Sequence, residues 1–103
     1  MRDTALSPDH CRTMQDVRAG VDATDAALME LLARRFAYMR AAARIKPSRD
    51  EVRDEARKAE VIAAVRAAAV DAGLPDDAIA DLWDRLVEAS IAFELAEWDR
   101  LKV

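Results

Sequence analysis

The chain has 103 residues, of which 52% are hydrophobic and 5% aromatic, and it contains only two Gly and three Pro. A chain of this length forms one small domain, and so few turn-forming residues predict an all-α fold. The 20 acidic residues outnumber the 16 Lys and Arg, giving a net charge of −4. This balance disfavours a general nucleic-acid binder, which needs a basic face to neutralise phosphates.

The single cysteine and the distribution of apolar residues bear on the compartment. Cys11 has no second cysteine to pair with, which is typical of a reducing cytoplasm. The N-terminal region has no apolar core of a secretory signal, and no apolar run has the length of a membrane span. We therefore expect a cytoplasmic protein without membrane association. We expect no metal at the neighbouring His10 and Cys11, because a metal site needs more ligands.

Three helices are predicted from the positions of Gly and Pro. Helical periodicity runs from residue 13 to residue 46, and Pro47 ends it because the residue before a proline is driven out of the α region. After the loop PSRDEV, a second helix covers residues 53–72 and is closed by Gly73. A third helix then starts at Pro75 and continues almost to the end of the chain.

The length of the first helix predicts more than a three-helix monomer. About 30 residues make a helix roughly 45 Å long, which the rest of this short chain cannot cover. Oligomerisation would complete the core. We predict an N-terminal tail over residues 1–12 and one helical domain over residues 13–103.

The stretch ARRFAYMRAAARIK, residues 33–46, carries five cations and no acid. At 100° per residue, Arg35 and Lys46 fall on the apolar stripe of the first helix. The other three cations fall on faces that water can reach: Arg34, Arg40 and Arg44. Long stems that pack while their charged ends reach water would explain one inward cation. Two inward cations favour a carboxylate partner, because an unpaired buried charge is unfavourable by several kcal/mol.

Inward polar residues are also predicted on the other two helices. Asp54, Arg57 and Lys58 lie on the valine side of the second helix, although Asp54 and Arg57 could instead pair with each other. Ser90 and Glu94, one turn apart, continue the apolar line of the third helix. A pocket for a small molecule with two or more carboxylates would account for this set. Arg binds carboxylates through two hydrogen bonds, and Lys supplies a compact charge.

Four segments at fixed spacing resemble a known family. They are VRAGVDATDAALMELLARR, ARIK, VRDEARKAEVI and LPDDAIADLWDRLVEASIAFE. The chain resembles the all-helical, AroQ-type chorismate mutases from about Met14 to Glu97. It is also similar to the related isochorismate-pyruvate lyases of salicylate formation, particularly in its Asp-His-Cys lead-in and in Trp98.

The resemblance implies an intertwined homodimer with two active sites and no cofactor or metal. Each site would take Arg18 from the partner subunit. The other chain would supply the remaining substrate-binding residues, Arg35, Lys46, Asp54, Arg57, Lys58, Ser90 and Glu94. The spacing agrees with this, because Arg18 and Arg35 lie about 25 Å apart along one helix, too far to hold one small ligand. Two first helices crossing near Met29 would bring them together.

The reaction implied by the resemblance is the rearrangement of chorismate to prephenate, a step of aromatic amino acid biosynthesis in the shikimate pathway. Catalysis would hold the reactive conformer and stabilise charge on the breaking ether oxygen. Arg18 and Arg35 would clamp the carboxylates, with Arg57 as a further candidate, and Lys46 would donate to the ether oxygen. Glu94 stands where family members often carry Gln, and we expect it to act protonated because a carboxylate would repel that oxygen.

Lys58 departs from the pattern, since many mutases carry at this position a Glu that accepts from the ring hydroxyl of the substrate. A charged lysine cannot accept a hydrogen bond. The lyase, or a mutase for a related ring, is therefore an alternative to chorismate mutase. A non-enzymatic helical dimerisation module is a third interpretation.

Overall fold

The structure is a computed structural model that describes residues 5–102. It contains three α-helices, α1 (Met14–Ile45), α2 (Glu55–Asp71) and α3 (Asp76–Leu101), and no strand among the described residues. Two short 3₁₀ helices cover Pro8–His10 and Arg49–Glu51. The predicted all-α fold with a long first helix is confirmed. None of the helices described is long and apolar enough to cross a membrane.

The turn between α2 and α3 follows the chemistry of Gly73 and Pro75. Gly73 has φ of +73°, a left-handed conformation that most side chains disfavour, and it ends α2. The next amide, that of Leu74, returns to the carbonyl of Ala69 with a hydrogen bond of 2.8 Å. Pro75 then occupies the N-cap position of α3. The reversal that brings α3 back along α2 therefore takes only a few residues.

The chain divides into two compact units within α1, and the boundary falls after Arg35. In the first unit, α1 leaves a series of large apolar side chains uncovered. Leu28, Met29 and Leu31 are 50%, 65% and 58% exposed. Each of these three side chains therefore keeps at least half of its surface accessible in the described chain.

The predicted N-terminal tail over residues 1–12 is described only in part, because residues 1–4 lie outside the described residues. Within the rest, the Pro8–His10 turn is closed by a hydrogen bond of 3.0 Å from the His10 amide to the Ser7 carbonyl. The boundary of the helical domain at residue 13 stays a prediction.

The core of the second unit lies between α2, α3 and the segment that precedes α2. Val52, Val87 and Ile91 are buried together there, and partly buried apolar side chains pack around them: Val61, Ile62, Leu95 and Trp98. The C-terminal part of α1 belongs to the same unit, and its Phe36 ring meets Phe93 of α3 edge to face at 5.0 Å. This packing sets α3 against the residues on either side of the loop between α1 and α2.

Candidate functional site

An ion pair joins the end of α1 to α3. The Nζ atom of Lys46 lies 2.8 Å from Oε2 of Glu94, and the two side chains are 28% and 5% exposed. The same ammonium donates to the carbonyl of Val52 at 3.4 Å. Lys46 is therefore an inward cation with a carboxylate beside it, in keeping with the expectation from its helical face.

One carboxylate oxygen of Glu94 accepts no hydrogen bond from the described residues. This atom, Oε2, is buried, and the close approach of Lys46 lacks hydrogen-bond geometry. Buried carboxylate oxygens in this state are uncommon, and each calls for an explanation. One turn earlier, the buried Ser90 hydroxyl donates to the Leu86 carbonyl at 2.7 Å. Ser90 and Glu94 thus share an inward face of α3.

The backbone of Lys46 is fixed by α3 as well. The indole N–H of Trp98 donates to the Lys46 carbonyl at 3.1 Å. At the residue after Trp98, Asp99 accepts two hydrogen bonds from the Arg49 guanidinium, of 2.8 and 3.2 Å. These hydrogen bonds lower the pKa of Asp99. The sequence carries no signal for either contact, because both partners are distant in the chain.

The first turn of α2 is organised by Asp54. Its carboxylate is the N-cap and accepts from the backbone N–H of Arg57 at 3.0 Å. The Arg57 guanidinium lies 3.3 Å from Glu60, and its side chain is 70% exposed. The predicted inward orientation of Arg57 is therefore not found in the single chain. The cap uses the Asp54 carboxylate, so Arg57 turns to the acid one turn along the hydrated face.

Lys58 takes the inward position beside α3. Its Nζ atom lies 3.0 Å from Asp84 and 2.8 Å from Glu88, and only 20% of its side chain is exposed. Arg53 adds two hydrogen bonds to Glu88, of 2.7 and 3.1 Å. We call these four residues the Glu88 cluster.

The contacts of the Glu88 cluster favour the charged forms of Glu88 and Lys58. Hydrogen bonds from Arg53 and then Lys58 lower the pKa of Glu88 to about 2. Hydrogen bonds to Glu88 and then Asp84 raise the pKa of Lys58. Lys58 is therefore a charged donor committed to two acids of α3, and it has no capacity to accept from a ligand hydroxyl.

The remaining predicted cations lie on α1. Arg18 is exposed and Arg35 is half-buried, and both belong to the first unit. The three arginines expected to be solvated are all exposed: Arg34, Arg40 and Arg44. Arg40 also lies over the Phe93 ring, 5.2 Å from its centre.

A groove of about 750 Å³ in the first unit is formed by the N-terminal segment and α1 between residues 5 and 27. None of the predicted site residues lines it, and its walls are mainly apolar. Ser7 and Cys11 are among its lining residues, and the Ser7 hydroxyl is 2.6 Å from Nδ1 of His10. Within residues 5–102, no group of three His, Cys, Asp or Glu side chains is arranged to hold a metal ion.

Comparison with known families shows that residues 17–95 match the chorismate mutase type II family. No individual curated protein matches the chain significantly. The matched segment covers well over half of the chain, and it contains both Arg18 and Glu94 and every predicted site residue between them. The chain therefore belongs to the chorismate mutase type II family and is an enzyme of that class, an isomerase.

Proposed function

We propose that the protein rearranges chorismate to prephenate in a pocket centred on Lys46 and Glu94. Family membership supports a small chorismate-like substrate. The observation that carries the proposal is the 2.8 Å approach of the Lys46 ammonium to the buried Glu94 carboxyl group. A half-buried cation beside a buried carboxyl group is suited to an anionic substrate that gains charge on an oxygen as it reacts.

Lys46 supplies the donor for the breaking ether bond. An ammonium has three N–H groups, and here one is directed to the Val52 carbonyl. Another can reach the ether oxygen as the C–O bond breaks and a C–C bond forms in the same molecule. No proton needs to be transferred, so a fixed and poorly hydrated donor suffices to lower the barrier.

Glu94 acts in its protonated form once the substrate is bound. Without substrate, its carboxylate is the partner of Lys46. A substrate carboxylate can take over that role, and a protonated Glu94 then donates a hydrogen bond instead of repelling the ether oxygen. Its Oε2 atom, which lies beside the Lys46 ammonium in the free protein, then makes this contact.

The complete site is shared between two copies of the chain. The exposed apolar residues of α1 support a dimer, since Val17, Val21 and Leu28 are 38%, 52% and 50% exposed. In the dimer, Arg18 of the partner subunit joins Arg35 at the substrate carboxylates. Asp54, Arg57 and Ser90 complete the binding set.

A second candidate function is the isochorismate-pyruvate lyase reaction. Lys58 favours it, because a charged lysine, held here by Asp84 and Glu88, cannot accept a hydrogen bond from a ring hydroxyl. Isochorismate carries its hydroxyl at a different ring carbon, so the loss of this acceptor affects the two substrates differently. Both substrates present two carboxylates to the same cations.

The product decides between the two reactions. Purified protein is incubated separately with chorismate and with isochorismate, and prephenate, salicylate and pyruvate are quantified. Prephenate from chorismate supports the proposal, whereas salicylate plus pyruvate from isochorismate alone establishes the lyase. Absence of all three products, with no rise in melting temperature at saturating substrate, would favour the non-enzymatic dimerisation module.

A further inference from the structure

We propose that Glu88 is a positioning residue, which holds the first turn of α2 on α3 and thereby places Arg57 for the substrate. This inference rests on the proposed function, in which Arg57 contacts a substrate carboxylate. Glu88 itself is not assigned to the substrate. Its role is to connect two cations that stand on either side of the Asp54–Arg57 turn.

The contacts of Glu88 bracket that turn closely. Arg53 directly precedes the cap residue Asp54, and Lys58 directly follows Arg57. Both cations bind the same carboxylate, Arg53 through two hydrogen bonds and Lys58 at 2.8 Å. One side chain of α3 therefore holds both ends of the turn that carries the proposed substrate ligands.

An apolar contact reinforces the same junction. Val52, next to Arg53, is buried at 4% exposure in one cluster with Val87, which is next to Glu88. Two adjacent contacts therefore hold the start of α2 on α3. Val52 packs with Val87 in the core, and Arg53 binds Glu88 at the surface. The valines fix how deep the segment lies, while the carboxylate of Glu88 selects its rotation about the α2 axis, because it must meet Arg53 and Lys58 together.

Arg57 depends on this arrangement because its own side chain is weakly held. It is 70% exposed, and its ion partner within the described chain is Glu60, at 3.3 Å and equally exposed. Exposed pairs of this kind fix a side chain poorly. The backbone of the turn, where the Arg57 amide donates to Asp54, then determines where the Arg57 side chain starts and which region its guanidinium can reach.

Lys58 has a consistent role in this arrangement. An acid at position 58 would face Asp84 and Glu88 and would repel both. A lysine instead ties α2 to α3, and the acceptor that many mutases carry here is exchanged for a positioning contact. Lys58 therefore acts through the turn, and its ammonium is not a ligand of the substrate.

The first test uses Glu88→Gln with a matched control. Arg66 of α2 also binds two acids of α3, Asp76 and Asp77, and it is about as exposed as Arg53, at 44% against 45%. We expect Glu88→Gln to raise KM for chorismate about 5-fold while kcat changes less than about 2-fold, since a carboxylate contact serves the ground state and the transition state alike. Arg66→Gln, which breaks a comparable α2–α3 connection, should leave KM unchanged.

A double-mutant cycle then tests whether Glu88 acts through Arg57. Glu88→Gln is combined with Arg57→Ala, and KM is measured for the two single variants and the double variant. We expect the effect of Glu88→Gln to disappear in the Arg57→Ala background. Arg53→Gln, which removes only one of the two cations, should give a smaller increase that also disappears there.

Three outcomes would overturn the inference. Glu88→Gln could leave KM unchanged, its effect could persist undiminished beside Arg57→Ala, or Arg66→Gln could raise KM equally, which would mark a general effect of α2–α3 stability. A failure of the proposed function itself would give another result, because Arg57→Ala alone would then leave KM for chorismate unchanged.

Discussion

Glu94 is the residue whose ion pair in the free protein differs most from the role proposed for it with substrate bound. Its side chain is 5% exposed, and its Oε2 atom lies 2.8 Å from the Lys46 ammonium, with which it forms an ion pair. The proposed mechanism requires the protonated form when substrate is bound, because a substrate carboxylate then takes the cation. The charge on Glu94 is therefore expected to depend on occupancy of the site.

The pH dependence of activity tests this requirement. We expect wild-type kcat/KM to fall as pH rises, because the proposed mechanism needs a neutral donor at position 94. Glu94→Gln places a neutral donor at the same position at every pH, so its profile should be flatter. Initial rates with chorismate from about pH 5 to about pH 9 measure both profiles. Parallel profiles for the two proteins would refute the protonated role.

Lys46 is expected to be the residue on which the chemical step depends most. Lys46→Met keeps a stem of similar length but removes the donor to the ether oxygen, and we expect kcat/KM to fall at least about 100-fold. Arg44→Met is the matched control, since Arg44 is an exposed cation from the same stretch. Steady-state kinetics of the two variants, with circular dichroism to verify folding, give the comparison. Similar losses in both would mean that only total positive charge matters.

At the scale of the elements, helix boundaries were predictable because local chemistry determines them. Pro47, Gly73 and Pro75 act within one or two residues of their own positions, and the observed helix ends lie beside them. The inward face of Lys46 was equally predictable, because the period of an α-helix is fixed. Any property determined by a single helix could be deduced in this way.

The Glu88 cluster could not be predicted from the sequence. Asp84 and Glu88, one turn apart on α3, have the pattern of an ordinary solvated surface, and nothing in the sequence gives the register of α3 against α2. The exposed direction of Arg57 depends on the same register, together with the choice of Asp54 as the cap. Contacts between helices thus cannot be deduced from the periodicity of either helix alone.

The α2–α3 pairing should weaken in acid. The pKa of Glu88 is lowered from 4.5 to about 2, so its contribution to stability is complete above about pH 4.5 and disappears as pH falls toward 2. Urea unfolding at a series of pH values measures the free energy of unfolding, and Glu88→Gln should lose less of it in acid than the wild type. High salt should reduce the difference, because the cluster is partly exposed. Equal acid losses in both proteins would contradict the assignment.

At the scale of the whole molecule, the exposed residues of α1 and the position of Arg18 have one common explanation. A helix with Leu28, Met29 and Leu31 at half exposure or more leaves apolar surface for a second copy to bury. Arg18 and Arg35 lie too far apart on one straight helix to bind one small substrate. A dimer that brings Arg18 of the partner subunit to Arg35 satisfies both requirements.

Subunit complementation tests this arrangement. Arg18→Ala and Lys46→Met are each expected to be nearly inactive as pure homodimers. After the two are mixed, unfolded and refolded together, each heterodimer contains one site with both residues intact and one site with neither. When equal amounts are mixed, about half of the dimers are heterodimers, and one of the two sites in each is intact. We therefore expect about a quarter of the wild-type activity to return.

The control for complementation is a pair of substitutions from the same side of the site. Lys46→Met mixed with Glu94→Ala should stay near the activity of the separate variants, because both residues come from one chain and every site in the heterodimer lacks one of them. No recovery with Arg18→Ala and Lys46→Met would mean that Arg18 serves its own subunit. Recovery with the control pair would mean that Lys46 and Glu94 of one site come from different chains. Sedimentation of the mixtures verifies that dimers form in each case, so that a loss of assembly is distinguished from a loss of the shared site.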